Sequence, residues 1–164
     1  MTSPPLSATL AWLLEPDPLH PGVRYLALKD LLGQNDRSEE VRRAREETMR
    51  TGPVPAILEA QYPEGYWIKP GGGYSPKYRS TLWQIIFLAD FGADGRHPRV
   101  RRACEYILTH NIAANGAFSA YQKPAPSGAV LCLNGNLAHA LIRLGYRQDA
   151  RVQKVIEWLA GAIT

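Results

Sequence analysis

The sequence predicts an all-α fold built from repeated pairs of helices. Three observations carry that reading. Apolar residues recur at helical spacing with no sustained strand alternation, three segments share one helix-start pattern, and glycines close two apolar runs. The shared segments are HPGVRYLALKDLLG from His20, HPRVRRACEYILTH from His97 and DARVQKVIEWLAGA from Asp149. Each opens on His or Asp, read as a helix cap, and Pro or Ala follows in the first turn. Valine then stands at Val23, Val100 and Val152. Val100, Ala103, Cys104, Ile107 and Leu108 line one side of the second segment, and Val152, Val155, Ile156 and Leu159 one side of the third. Arginines, lysine and glutamates fill the other sides, so these are amphipathic helices with one dry face.

A second kind of helix precedes the last two. STLWQIIFLADFG runs from Ser80 to Gly92 and LCLNGNLAHALIRLG from Leu131 to Gly145. Both are apolar nearly all round, which predicts burial on more than one side, and both end on a glycine suited to a left-handed cap. The unit is a buried helix, a glycine stop, a short loop and a half-exposed helix. From Val100 to Val152 it repeats with a period of 52 residues, a spacing typical of stacked helix pairs. An irregular first copy covers Trp12 to Gly33, as terminal units often do. SEEVRRAREETMRTG, Ser38 to Gly52, predicts an additional helix. Pro53 and Pro55 are expected to break the chain before a short helix from Ala56 to Gln61. Segments 62–79 and 111–128, rich in Gly, Pro, Tyr and Ser, read as ordered loops. The expected organisation is one domain over 1–164, with irregular helices in 6–61 and regular pairs in 80–164.

Composition narrows the classes. A chain of 164 residues buries about 70% of its unfolded surface and needs no staples. Two cysteines, Cys104 and Cys132, make no disulfide framework and read as reduced thiols. The N-terminus has no convincing signal-peptide pattern, and no apolar run approaches the roughly 18 residues of a spanning helix. A cytoplasmic protein with no transmembrane segment is expected. The net charge of +4 fits solvated helix faces; a phosphate-binding surface is the sharper reading.

One motif stands out. In QYPEGYW, residues Gln61, Gly65 and Trp67 give Q-x-x-x-G-x-W just after a short apolar helix. A glutamine at a helix end bonds backbone groups left without partners. Glycine permits a tight turn, and tryptophan is an apolar plug with one N–H to place. A degenerate second copy has Asn111 near the glutamine position, then Gly116 and Phe118 with one residue inserted. This pattern resembles the QW motif of the terpenoid cyclases, best known in squalene–hopene cyclases. Protein prenyltransferase β-subunits share their architecture. The resemblance implies an α/α toroid, with buried inner and amphipathic outer helices, of which this chain holds a part. By the 52-residue offset the third glycine falls past Thr164, so the reading expects either a longer natural chain or self-association of two incomplete rings. The first segment is also similar to a HEAT-type helix, which keeps an open helical solenoid as the alternative fold.

Candidate chemistry follows from placement. The squalene–hopene DxDD acid is missing; Asp90 and Asp94 give only D-x-x-x-D. The Asp-x-Cys zinc arrangement of the prenyltransferases is missing too. Cys132, Asn136, His139 and Arg143 form one polar stripe along a helix, and polar groups on a buried helix need partners. In repeat register Asn136 matches Trp83 and Arg143 matches Asp90, so Asp90 and Arg143 are expected to meet. Cys132 with His139 offers two zinc-type ligands, too few for a site. Tyr74, Tyr78, Lys77 and Arg79 cluster before the helix from Ser80, where an anion could meet a helix N-terminus; the loop is not a P-loop. The ligand candidates are therefore Tyr74, Tyr78, Arg79, Trp83, Asp90, Asn136, His139 and Arg143. No cofactor is indicated. Two functions stay open: a toroid domain binding an isoprenoid or other apolar ligand, and a non-catalytic helical-repeat module for protein or nucleic acid.

Overall fold

The computed structural model describes residues 5–162, and the ends of the expected 1–164 domain lie outside the described residues. The chain is all-α. Its helices are α1 (Pro5–Leu13), α2 (Pro21–Leu26), α3 (Glu39–Arg50), α4 (Pro53–Glu59), α5 (Thr81–Asp90), α6 (Pro98–His110), α7 (Leu131–Leu141) and α8 (Ala150–Gly161). Wider π turns, Ala27–Leu31 and Ile142–Tyr146, continue α2 and α7. Among the described residues, β-structure amounts to two isolated bridges, Ile112 with Phe118 and Ser119 with Ala129.

The fold groups into two units. One holds the described residues up to Ala56 together with Phe91–Asp94. Here α2 packs on α3 around Tyr25, Leu28, Val41 and Ala44, with Leu14 and Leu26 beside them. Arg45 ties this core to its rim, donating to the Tyr25 hydroxyl at 2.5 Å and to Asp36 at 2.6 Å.

The second unit holds Ile57–Asp90 and the described residues from Gly95 onward. It contains the helix pairs that the period predicts. Helix α5 packs on α7, α6 backs α5, and α8 backs α7. Leu82, Ile85 and Leu88 of α5 and Leu133, Leu137 and Leu141 of α7 are buried, as are Val100, Ala103, Cys104 and Ile107 of α6 and Val152 and Val155 of α8. Burial pushes the Cys104 thiol up to about 12, which suits a core residue.

Three local expectations are corrected. Pro53 begins α4 instead of breaking the chain ahead of it, because a first-turn proline loses no helical hydrogen bond and arrives with helical φ. Of the three expected caps only Asp149 works, accepting from the Arg151 N–H at 2.8 Å. His20 and His97 make no cap bond; the His20 ring is held by Asp17 at 2.9 Å. A carboxylate oxygen reaches the second helical N–H easily, whereas imidazole is outside the usual set of capping side chains. Finally, α7 is buried along one side only: Leu131, Cys132, Gly135, Asn136 and His139 are exposed. The glycine stops hold, with Gly92 at φ +77° and Gly145 at φ +96°.

Candidate functional site

The Q-x-x-x-G-x-W segment is a clasp between successive elements. The Gln61 amide donates to Gly65 O at 3.3 Å and to Arg99 O, in the first turn of α6, at 3.0 Å. Arg99 returns the contact, donating to Leu58 O of α4 at 2.6 Å. Gly65 lies against Arg102 at φ +108°, where an added Cβ would stand 2.8 Å from Arg102 O. Trp67 is buried; its indole N–H donates to Ile57 O at 2.8 Å, and its backbone N–H donates to the Thr81 hydroxyl at 3.1 Å. One short segment thus fixes α4, the start of α5 and the start of α6.

The second copy makes the same turn. Tyr62 N–H to Tyr66 O and Gly65 N–H to Tyr62 O, both 2.9 Å, are matched by Ala113 N–H to Ala117 O and Gly116 N–H to Ala113 O, both 2.9 Å. The match sets the register: Gly116 answers Gly65, Phe118 answers Trp67, and Ile112 stands at the glutamine place. No residue is inserted, and Asn111 is one position early. Asn111 is fully buried, and neither polar atom of its side chain finds a partner. Asn134, in the first turn of α7, replaces Thr81 as anchor. It accepts from Phe118 N–H at 2.7 Å and donates to Phe118 O at 2.9 Å. Thr81 and Asn134 escaped sequence reasoning because their partners lie 14 and 16 residues away; a polar residue in the first turn of an apolar helix is the available signal.

Most ligand candidates lie along one side of α5 and its preceding loop or on the exposed side of α7 and its continuation. Tyr74 and Tyr78 both meet Trp83 edge-on, with centroids 5.1 and 4.8 Å apart, and Phe87 continues the ladder 6.1 Å from Trp83. Phe87 was not singled out from sequence, although it lies one turn beyond Trp83 on the same face. The Trp83 N–H donates to Tyr74 O at 3.2 Å, which locks the loop onto the helix. Tyr78 is 54% exposed, so the ladder is open to a ligand. Lys77 lies 4.8 Å over the Tyr78 ring. Arg79 is exposed nearby.

Farther along α5 the face turns polar. Although Asp90 sits at the exposed end of the helix, partial burial raises its carboxyl above the ordinary value, while the positive charges of His139 and Arg143 act against that rise. Asp90 at the end of α5 thus lies within electrostatic reach of His139 and Arg143 on the α7 side. Asn136 and Cys132 lie exposed on the same side of α7. Among the described residues, no group of three or more His, Cys, Asp or Glu side chains could hold a metal ion.

Many basic residues are engaged elsewhere. Arg24 pairs with Glu40 at 3.0 Å, Arg43 with Glu39, and Arg151 with Asp149 at 2.6 Å and Glu105 at 2.9 Å. Among the described residues no helix is long and apolar enough to cross a membrane. No protein-family model matches the chain, and no curated protein matches it.

Proposed function

We propose that the second unit is an arc of an α/α ring of the terpenoid cyclase and prenyltransferase kind, and that the common face of α5 and α7 binds an isoprenoid or similar ligand with an apolar body. The observation that carries this reading is the graded face of α5. Accessible aromatic edges and faces at Tyr78, Trp83 and Phe87 lead along α5 to Asp90, which feels the charges of His139 and Arg143. Aromatic rings favour an apolar chain through contact area and a cationic centre through their π faces, and the charged end orients whatever polar group the ligand carries. The Gln61 clasp and the inner-against-inner packing of α5 and α7 support the ring. The reading is one of binding; no catalytic acid is assigned.

The test is a titration with a farnesyl-chain diphosphate, followed by tryptophan fluorescence in the wild type and in Trp83→Phe. Saturable quenching that Trp83→Phe removes, and that inorganic pyrophosphate alone does not reproduce, is expected. No saturable signal with isoprenoid diphosphates or their alcohols overturns the proposal. Basic-patch binding is checked in parallel: a nucleic-acid complex with a steep salt dependence would favour the binding-module alternative.

A further inference from the structure

The two loop copies dock on successive amphipathic helices, yet one closes and the other leaves a cleft. The loop counterparts run Gln61 to Ile112 and Gly65 to Gly116; the helix counterparts run Arg99 to Arg151, Arg102 to Lys154 and Tyr106 to Trp158. In the first copy the Gln61 amide fills the gap, reaching Gly65 O and Arg99 O. Tyr66 then packs on Tyr106, with ring centroids 5.4 Å apart, and together with His110 and the Gly71 loop leaves it 8% exposed. In the second copy Ile112 has no donor to offer Gly116 O and Arg151 O. The loop also stands farther off: an added Cβ on Gly116 would lie 4.0 Å from Lys154 O, against 2.8 Å from Arg102 O for Gly65. Ala117 stands where Tyr66 stands, and Trp158 stays half-buried. The result is a cleft of about 430 Å³ lined by Ile112, Asn115, Gly116, Lys154, Glu157 and Trp158.

We infer that this cleft is a binding site for a small, neutral, planar aromatic carboxamide. Its NH₂ group donates to Gly116 O and Arg151 O, the counterparts of the two oxygens that the Gln61 amide reaches. Its ring lies against Trp158, an arrangement that aromatic pairs favour. Neutrality follows from the charges present. The Arg151 guanidinium is already held by Asp149 at 2.6 Å and Glu105 at 2.9 Å, and the two remaining charged side chains, Lys154 and Glu157, are opposite in sign. A ligand amide therefore supplies what the glutamine supplies one repeat earlier.

The experiment follows amide and indole N–H signals of the full chain by two-dimensional NMR during titration with benzamide, and separately with benzoate, which has the ring but no N–H. Benzamide should shift the Trp158 indole and Gly116 signals saturably, and benzoate should bind weaker by about tenfold or more. Ile112→Gln places a side-chain amide in the cleft and should weaken benzamide by about tenfold or more, with the Trp67 indole signal unmoved as a check on folding. Trp158→Leu, which removes the ring, should weaken it similarly and serves if Ile112→Gln does not fold. Absence of saturable shifts, equal binding of benzoate, or undiminished binding in a folded variant overturns the inference.

Discussion

Loops 61–67 and 112–118 make the same turn with different means of attachment, and the contrast separates what the repeat requires from what it tolerates. Both keep a positive-φ glycine, at +108° and +84°. Both bury an aromatic two residues later and tie its backbone N–H to a polar side chain in the first turn of the next apolar helix. Only the first adds the glutamine bonds and the indole N–H bond to Ile57. The turn, the plug and the anchor are thus common to both copies, while the side-chain amide is an addition that closes one of them.

The strongest test of that division removes the plugs. Trp67→Ala and Phe118→Ala should each cost about 3–5 kcal/mol in chemical denaturation, since both rings are buried. A cost below about 1 kcal/mol for either would mean the copies are not equivalent. Next come the glycines. Gly65→Ala should cost about 3 kcal/mol, combining backbone strain with the clash on Arg102 O. Gly116→Ala should cost only about 1–2 kcal/mol, the backbone share alone, because its nearest neighbour would stand 3.6 Å away. Equal costs would erase the difference in how closely the two loops dock. Gln61→Ala should cost about 1–2 kcal/mol and loosen hydrogen-exchange protection in the first turn of α6.

The smallest effect is in pH. The hydrogen bond from the Arg151 side chain, against the opposing pull of burial, holds the Asp149 carboxyl below its ordinary value of 3.8. Its folded-state value is therefore the lower one. The stability it contributes is fully present above the unfolded value and is lost as pH falls through the folded one. Hydrogen exchange in the first turn of α8 should accelerate as pH drops from about 5 to 3 relative to its expected intrinsic rate. Asp149→Asn, which still caps, should remove that dependence. The first turn of α6, behind His97, has no carboxylate cap to lose.

Most of the fold was legible because it rests on local rules. Amphipathic spacing placed α6 and α8, and glycine stops placed the ends of the apolar runs. The misreadings share a different cause. Whether Pro53 opens or breaks a helix depends on which residues around it turn helical, and the capping role of His97 failed on side-chain geometry that periodicity does not encode. The open side of α7 was missed because Leu131 and Gly135 look apolar in sequence, although apolar character does not oblige burial. In the site, repeat register alone set Asp90 and Arg143 on neighbouring helices, where they lie within electrostatic reach. The clasp between Gln61 and Arg99 spans 38 residues, and nothing local names that partner. The register of the second loop needed its backbone hydrogen bonds, since Asn111 chemically resembles glutamine more than Ile112 does.

The unequal fates of the two cysteine thiols give the molecule a ready handle. Cys104 is buried with its thiol pushed up to about 12, while Cys132 is exposed on α7. Under native conditions a maleimide dye should react at Cys132 alone, on the same side of α7 as His139. Uptake of a second dye reports opening of the packing around α6, so labelling stoichiometry over time reads local unfolding without any substitution in the chain.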